Sequence, residues 1–331
     1  MSLWITFFLL TAVIFFAGKN LVKYGDILAE KLNLGRTIIG IVFVASITSL
    51  PELVTGIGAV TLAESPDIAA GDVFGSCMFN LLILAVLDGF FRDSPLTTKV
   101  HHGLTISASF GIILITLSAA AIFLGDRVPV IGWISYASFV ITAVYLISIW
   151  IITSYEKRFI SRSVKESAEA LLYGDISLKR TILMYTINGV VIVGAALYLP
   201  VVGKQIASIY GLTETFFGTF FVALTTSLPE IAVSIAAVRM NMVTISVANL
   251  LGSNVFNIFI LAIDDIFYRN GSLFTGMDYN NLFSAAVAVI MTAVIIIGLI
   301  YRAERKPLRL AYESIALIGI YLAGVFIIYR L

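Results

Sequence analysis

The chain has 331 residues, 60% of them apolar and only 12% charged, with a mean hydropathy of +1.02. Soluble domains carry about 45–50% apolar and about 25% charged residues, so this charge cannot coat a water-soluble globule and the composition points to a polytopic membrane protein. A net charge of +1 argues against a nucleic-acid partner, which would want a basic patch. One cysteine, Cys77, allows neither an internal disulfide nor a thiolate cage for zinc.

A helix needs about 20 apolar residues to cross a bilayer. Ten such runs are predicted in chain order, near residues 2–24, 36–62, 67–90, 102–124, 129–153, 182–208, 212–238, 242–267, 281–301 and 309–329. The expected fold class is therefore all-α and polytopic, with ten transmembrane helices. The first run has no basic segment before it, since Lys19 and Lys23 follow it, so it reads as a first span with its N-terminus outside and not as a cleaved leader. Connections are short except for 154–181, which holds Glu156, Lys157, Arg158, Arg162, Lys165, Glu166, Glu169, Asp175, Lys179 and Arg180. Such a stretch reads as a solvated linker or short amphipathic helix, because charged, poorly apolar segments cannot bury a core. Of the 21 Lys and Arg, 17 fall in the odd-numbered loops. The positive-inside rule then places those loops, 154–181 included, in the cytoplasm and both termini outside, in the cell (plasma) membrane.

An internal repeat runs through this pattern. Residues 40–60 (GIVFVASITSLPELVTGIGAV) and 218–238 (GTFFVALTTSLPEIAVSIAAV) are identical at more than half of their positions. GSCMFNLLILAVLD (75–88) and GSNVFNIFILAIDD (252–265) share 8 of 14. Chance can match Leu, Ile and Val between apolar helices, but not Thr-Ser-Leu-Pro-Glu or Gly-Ser-x-x-Phe-Asn. The chain divides into halves of five spans each, 1–153 and 182–331, joined by the linker 154–181. Because five is odd, the second half enters the membrane from the opposite side, giving an inverted-topology repeat.

The repeats preserve Thr48, Ser49, Pro51 and Glu52 in the second run and Thr226, Ser227, Pro229 and Glu230 in the seventh. A carboxylate near the bilayer centre costs about 2.5 kcal/mol or more and marks function by default. Every Lys and Arg lies in a loop or at a span end, so the two glutamates must be protonated or bind cations. Each proline should break its helix, with Thr48-Ser49 capping the half-helix that follows and the carbonyls of about 45–48 and 223–226 set free. Carbonyls, hydroxyls and carboxylates are the hard oxygen ligands that calcium takes, and they suit sodium as well. Asp72, Ser76 and Asn80 share one stripe of the third run, as Asn249, Ser253 and Asn257 do in the eighth. Gly75 and Gly252 permit close approach of a facing helix. His101 and His102, at a cytoplasmic span end, read as interfacial residues and not ligands. Only three acidic residues, Glu52, Asp72 and Glu230, are expected deep inside spans without a basic partner.

These motifs resemble the sodium/calcium exchangers of the calcium:cation antiporter superfamily, prokaryotic type, over nearly the whole chain. The resemblance implies an alternating-access antiporter exchanging calcium for sodium, with proton- or potassium-coupled exchange as the alternative and a cation channel further off. It implies no enzyme and no cofactor; calcium and monovalent cations are cargo, and the lipid bilayer is the other partner. Nothing sets an oligomeric state, and a monomer is compatible with the pattern. By the same resemblance Glu52 and Glu230 are the carboxylates shared by calcium and sodium. The carbonyls of Thr48 and Thr226 ligate calcium, and those of Ala45 and Ala223, with Ser49, Ser76, Ser227 and Ser253, help to bind sodium. Asn80 and Asn257 flank the centre. The chain departs from the family pattern in having Asn at both of those positions, where one is often Asp. It has Asp72 where Asn is usual, and Cys77 opposite Asn254 of the other half. Asp72 is either a displaced third carboxylate or an outer-vestibule residue.

Overall fold

Inside lipid every backbone N–H and C=O must be satisfied within the segment, and the apolar runs accordingly become helices. The computed structural model describes residues 2–31, 47–91, 94–164, 176–303, 305–307 and 309–331. Its helices are α1 (Ser2–Lys31), α2 (Leu50–Thr61), α3 (Pro66–Asp88), α4 (Leu104–Leu124), α5 (Tyr136–Val164), α6 (Leu178–Tyr210), α7 (Glu214–Thr226), α8 (Leu228–Arg239), α9 (Val243–Phe267), α10 (Asn280–Tyr301) and α11 (Tyr312–Arg330). Among the described residues eight are long and apolar enough to cross a membrane, and nine spans result if α7 and α8, bent by 44° at Ser227, are counted as one. The first part of the second predicted run, residues 36–46, lies outside the described residues.

Three boundaries differ from expectation, and the first is the end of α1, which runs on past 24 to Lys31. The fifth run does not begin as a helix at 129: Val130–Ile131 pairs with Ile134–Ser135 in a two-strand hairpin that turns at Gly132 (φ 66°), and α5 starts only at Tyr136. A helix cannot contain that left-handed turn. At its other end α5 runs on to Val164, so the first third of the predicted linker continues the fifth helix. Residues 165–175 lie outside the described residues.

Burial sorts the helices into two classes. In α3 and α9, 83% and 78% of the most apolar window is buried, against 22% in α5 and α6. The outer helices turn large apolar side chains such as Phe8, Trp150 and Val190 away from the protein, the arrangement expected where lipid is the solvent. α1 and α6 pack side by side, and α6 also packs on α2. At the centre, a Cβ at Gly75 of α3 would stand 2.3 Å from the Thr219 carbonyl oxygen and 2.7 Å from the Ala223 Cβ. Only glycine admits that contact, which seats α3 against α7 and brings Ser76 to the break at Ser227.

Repeat-equivalent aspartates tie the ends of the two buried helices to neighbouring loops. Asp88 accepts the N–H groups of Leu96 and Ala311, each at 2.7 Å, and pairs with Lys306 at 2.7 Å in a fully buried ion pair. Asp265 accepts the N–H groups of Leu273 and Ser135, also at 2.7 Å, and the Ser138 hydroxyl at 2.5 Å.

Candidate ion-binding site

Leu50-Pro51-Glu52 and Leu228-Pro229-Glu230 open α2 and α8, each directly after a serine that interrupts the helix. Ser49 (φ −88°, ψ 13°) and Ser227 (φ −83°, ψ 4°) adopt nearly the same backbone conformation, and each carbonyl accepts the N–H four residues on, at 3.2 and 3.3 Å. The expected capping does not occur, because neither serine side chain bonds its own helix. Each donates instead to the glutamate of the other half: Ser49 Oγ to Glu230 Oε1 and Ser227 Oγ to Glu52 Oε1, both at 3.3 Å. A buried carboxylate is the stronger acceptor, and the proline beside each serine removes one of the N–H groups that a cap would serve.

The break in α7–α8 is also tighter than expected. The Ala223 carbonyl is not released; it accepts the Ser227 N–H at 3.1 Å. Pro229, lacking an N–H, withdraws a partner from Thr225, four residues back. Just upstream, Gly218–Val222 forms a π-helical turn, a local widening that often marks functional sites. In the first half Ala45 lies outside the described residues. Thr48 is buried beside Ser49.

The polar stripe of α3 closes on this break. Ser76 Oγ stands 3.0 Å from Ser227 Oγ and 3.3 Å from Thr226 Oγ1, and Thr226 Oγ1 donates to Asp72 Oδ1 at 2.8 Å. Hydroxyls of Thr226, Ser76 and Ser227 thus link Asp72 to Glu52. Asn80 Nδ2 donates to Asn254 Oδ1 at 2.9 Å, and Asn254 Nδ2 donates to the Cys77 carbonyl at 3.2 Å, locking α3 to α9. The stripe of α9 behaves differently. Asn249, Ser253 and Asn257 are buried, and their side-chain oxygens and nitrogens have no partner among the described residues.

Glu52 and Glu230 are wholly buried, and one oxygen of each, Oε2, has no hydrogen-bond partner among the described residues. The ion pairs described, Lys204–Glu214 and Lys306–Asp88, involve neither glutamate. Burying unpaired carboxylates and amides carries a heavy desolvation penalty, so this donor set fits a hard cation. Among the described residues no three or more His, Cys, Asp or Glu side chains gather closely enough to hold a metal ion; two carboxylates would have to be completed by neutral oxygens.

One buried carboxylate escaped the sequence reading. Asp264 of α9 is fully buried and neither oxygen has a partner among the described residues. Asp264, three residues before the end of α9, was not among the three acidic residues expected. The available signal was the repeat itself, which places Asp264 opposite Leu87 while its neighbour Asp265 matches Asp88.

The profile of the family described as sodium/calcium exchanger protein matches residues 2–155 and 181–330. The sodium/calcium exchanger MaX1 of Methanosarcina acetivorans is 24% identical over 339 residues, covering 93% of each chain. Among solved structures, the H+/Ca2+ exchanger CAX superposes with a TM-score of 0.72 at 14% identity, over 99% of this chain and 85% of its own. The sodium-calcium exchanger NCX_Mj, soaked with zero Na+ and Ca2+, gives a TM-score of 0.59 at 22% identity over 98% of both chains. At these identities the superpositions show a shared membrane fold.

Proposed function

We propose that this chain, which belongs to the sodium/calcium exchanger family, is a secondary active antiporter that exchanges calcium for sodium across the plasma membrane by alternating access. The observation that carries the reading is the buried pair Glu52 and Glu230, without a basic partner among the described residues and each bonded to the serine of the opposite half. Calcium and sodium compete for these two carboxylates, and that competition supplies the coupling. Calcium is completed by the carbonyls of Thr48 and Thr226. Sodium uses Ser49, Ser76, Ser227 and Ser253 with the carbonyls of Ala45 and Ala223, the latter through the lone pair that its bond from Ser227 N–H leaves free. Asn80 and Asn257 flank the centre, and Asp72 adds a third carboxylate through its hydroxyl chain.

Ten spans in two inverted halves, 1–153 and 182–331, about a cytoplasmic linker at 154–181, with both termini outside, give this site equivalent routes to either face. The reciprocal Ser49–Glu230 and Ser227–Glu52 bonds support that symmetry. α1 and α6, long helices that pack on each other, α1 also on α8 and α6 also on α2, are the mobile gate. A single rigid arrangement of α1 and α6 across all ion conditions, by distance measurement, would refute alternating access.

Proton-coupled exchange is the second reading, favoured by Asp72, an additional titratable group in the same network. The deciding experiment is calcium flux in proteoliposomes with sodium, potassium or proton gradients imposed one at a time. A sodium gradient alone drives calcium uphill if the proposal is right. Uptake driven by a proton gradient without sodium selects the second reading, and flux that follows calcium's own gradient alone indicates a channel.

A further inference from the structure

Asp264 has no part in the site described so far. Its neighbour Asp265 and the repeat-equivalent Asp88 each accept two backbone N–H groups at 2.7 Å, so those carboxylates are structural. Asp264 accepts nothing among the described residues, and both of its oxygens are buried. Its repeat equivalent is Leu87, which is fully buried in α3. The same corner of the fold thus accepts a leucine in one half, and a carboxylate in the other calls for a different explanation.

Its position suggests one. Asp264 stands seven residues after Asn257, two helical turns along the same face of α9, about 10 Å away at 1.5 Å per residue. On α2 its carboxyl group lies against Gly56: a Cβ built there would stand 2.3, 2.7 and 2.8 Å from its Oδ2, Oδ1 and Cγ. Gly56 is one turn beyond Glu52 on the Glu52 face of α2. The α2–α9 seam therefore runs from the central glutamate to Asp264, and Gly56 is the notch that lets the carboxyl group reach it. Gly56 has Ser234 as its repeat equivalent, so both members of this contact are confined to one side of the molecule. By the distribution of basic residues, that side faces outward.

We propose that Asp264 is a cation-accepting carboxylate apart from the central site, an outer station for one hard cation, calcium or sodium, on the route between the external face and Glu52. It is covered by α2 at Gly56 and takes its cation when α2 and α9 part. The inward route carries Leu87 at the equivalent point, so the station makes cation capture unequal on the two faces. This rests on the antiporter reading and its topology for direction, and on the Asp264–Gly56 contact for place.

The test compares Asp264→Asn, Asp264→Leu and wild type in right-side-out and inside-out membrane vesicles, reading the half-saturating calcium concentration on each face. Both variants should raise the outer value roughly tenfold, equivalent to about 1.4 kcal/mol of lost binding, and leave the inner value within about twofold. Asp264→Leu should melt no lower than wild type, because it removes an unpartnered buried carboxylate. Unchanged values on both faces, equal shifts on both faces, or a fall in melting temperature like that of Asp265→Leu would each overturn the proposal. Glu52→Gln is measured in parallel: normal flux there breaks the central-site reading, whatever Asp264 does.

Discussion

The stripes on α3 and α9 share their spacing, their Ser and their final Asn and are buried alike, yet among the described residues one is bonded across the halves and the other is not. Asp72, Ser76 and Asn80 are held across the halves by Thr226, Ser227 and Asn254, whereas Asn249, Ser253 and Asn257 have no partner among the described residues. Part of the reason lies in what each faces. α3 packs through Gly75 onto the α7 break, and the corresponding segment of the first half, 40–46, lies outside the described residues. The difference teaches that a polar stripe in lipid does two kinds of work. Where hydroxyls and amides meet each other they fix the packing of two helices, and where they meet no other described residue their oxygens stand as candidate ligands for a cation.

Substitution can break or sharpen that contrast. The largest effect is expected between the stripes: Glu52→Gln or Glu230→Gln should reduce calcium transport in proteoliposomes to below about 1% of wild type, a loss of about 3 kcal/mol in ion binding, with yield and melting temperature unchanged. Near-normal exchange in both would sink the assignment of the site. Next comes Gly75→Ala, whose methyl group meets backbone that cannot swing aside. It should cost about 3 kcal/mol, read as a lowered melting temperature, and should loosen the whole α3 stripe.

Ser76→Ala and Ser253→Ala test the contrast directly. Ser76→Ala removes bonded groups and should cost about 1 kcal/mol of stability. Ser253→Ala removes an orphan and should leave the melting temperature unchanged while weakening the dependence of exchange on sodium. Equal destabilisation by both would erase the distinction. Asp72→Asn keeps shape but loses charge, and should weaken calcium binding a few-fold, roughly 1 kcal/mol. Unchanged calcium affinity and sodium dependence would make Asp72 a packing residue.

The smallest effect lies outside the spans. Burial, reinforced by the neighbouring His102, holds the His101 imidazole below its ordinary range, and its Nδ1 accepts Gly103 N–H at 3.1 Å. The folded state thus favours neutral His101. Its contribution is complete above the ordinary imidazole range and shrinks as pH falls through that range, because the unfolded chain takes the proton more readily. His101→Gln should flatten this part of the stability profile in melting scans across pH.

Some of this was written in the chain itself. Apolar run length set most spans to within a few residues, because hydropathy and helix formation are local. Glu52 and Glu230 stood out because a carboxylate without a basic neighbour in sequence is conspicuous in lipid, and the repeat marked their surroundings twice. The start of α5 was misjudged because an apolar run hides a hairpin whose turn depends on the backbone at Gly132.

The partners were decided by tertiary structure. That Ser49 serves Glu230 and not its own helix end, that Asp72 reaches Glu52 through Thr226, Ser76 and Ser227, that Lys306 neutralises Asp88, and that Asp264 rests on Gly56 are contacts between residues 150 or more apart in number. Periodicity says which face of a helix a side chain occupies. Which group waits on the facing helix depends on how the two halves pack, and that is settled only when the whole chain folds.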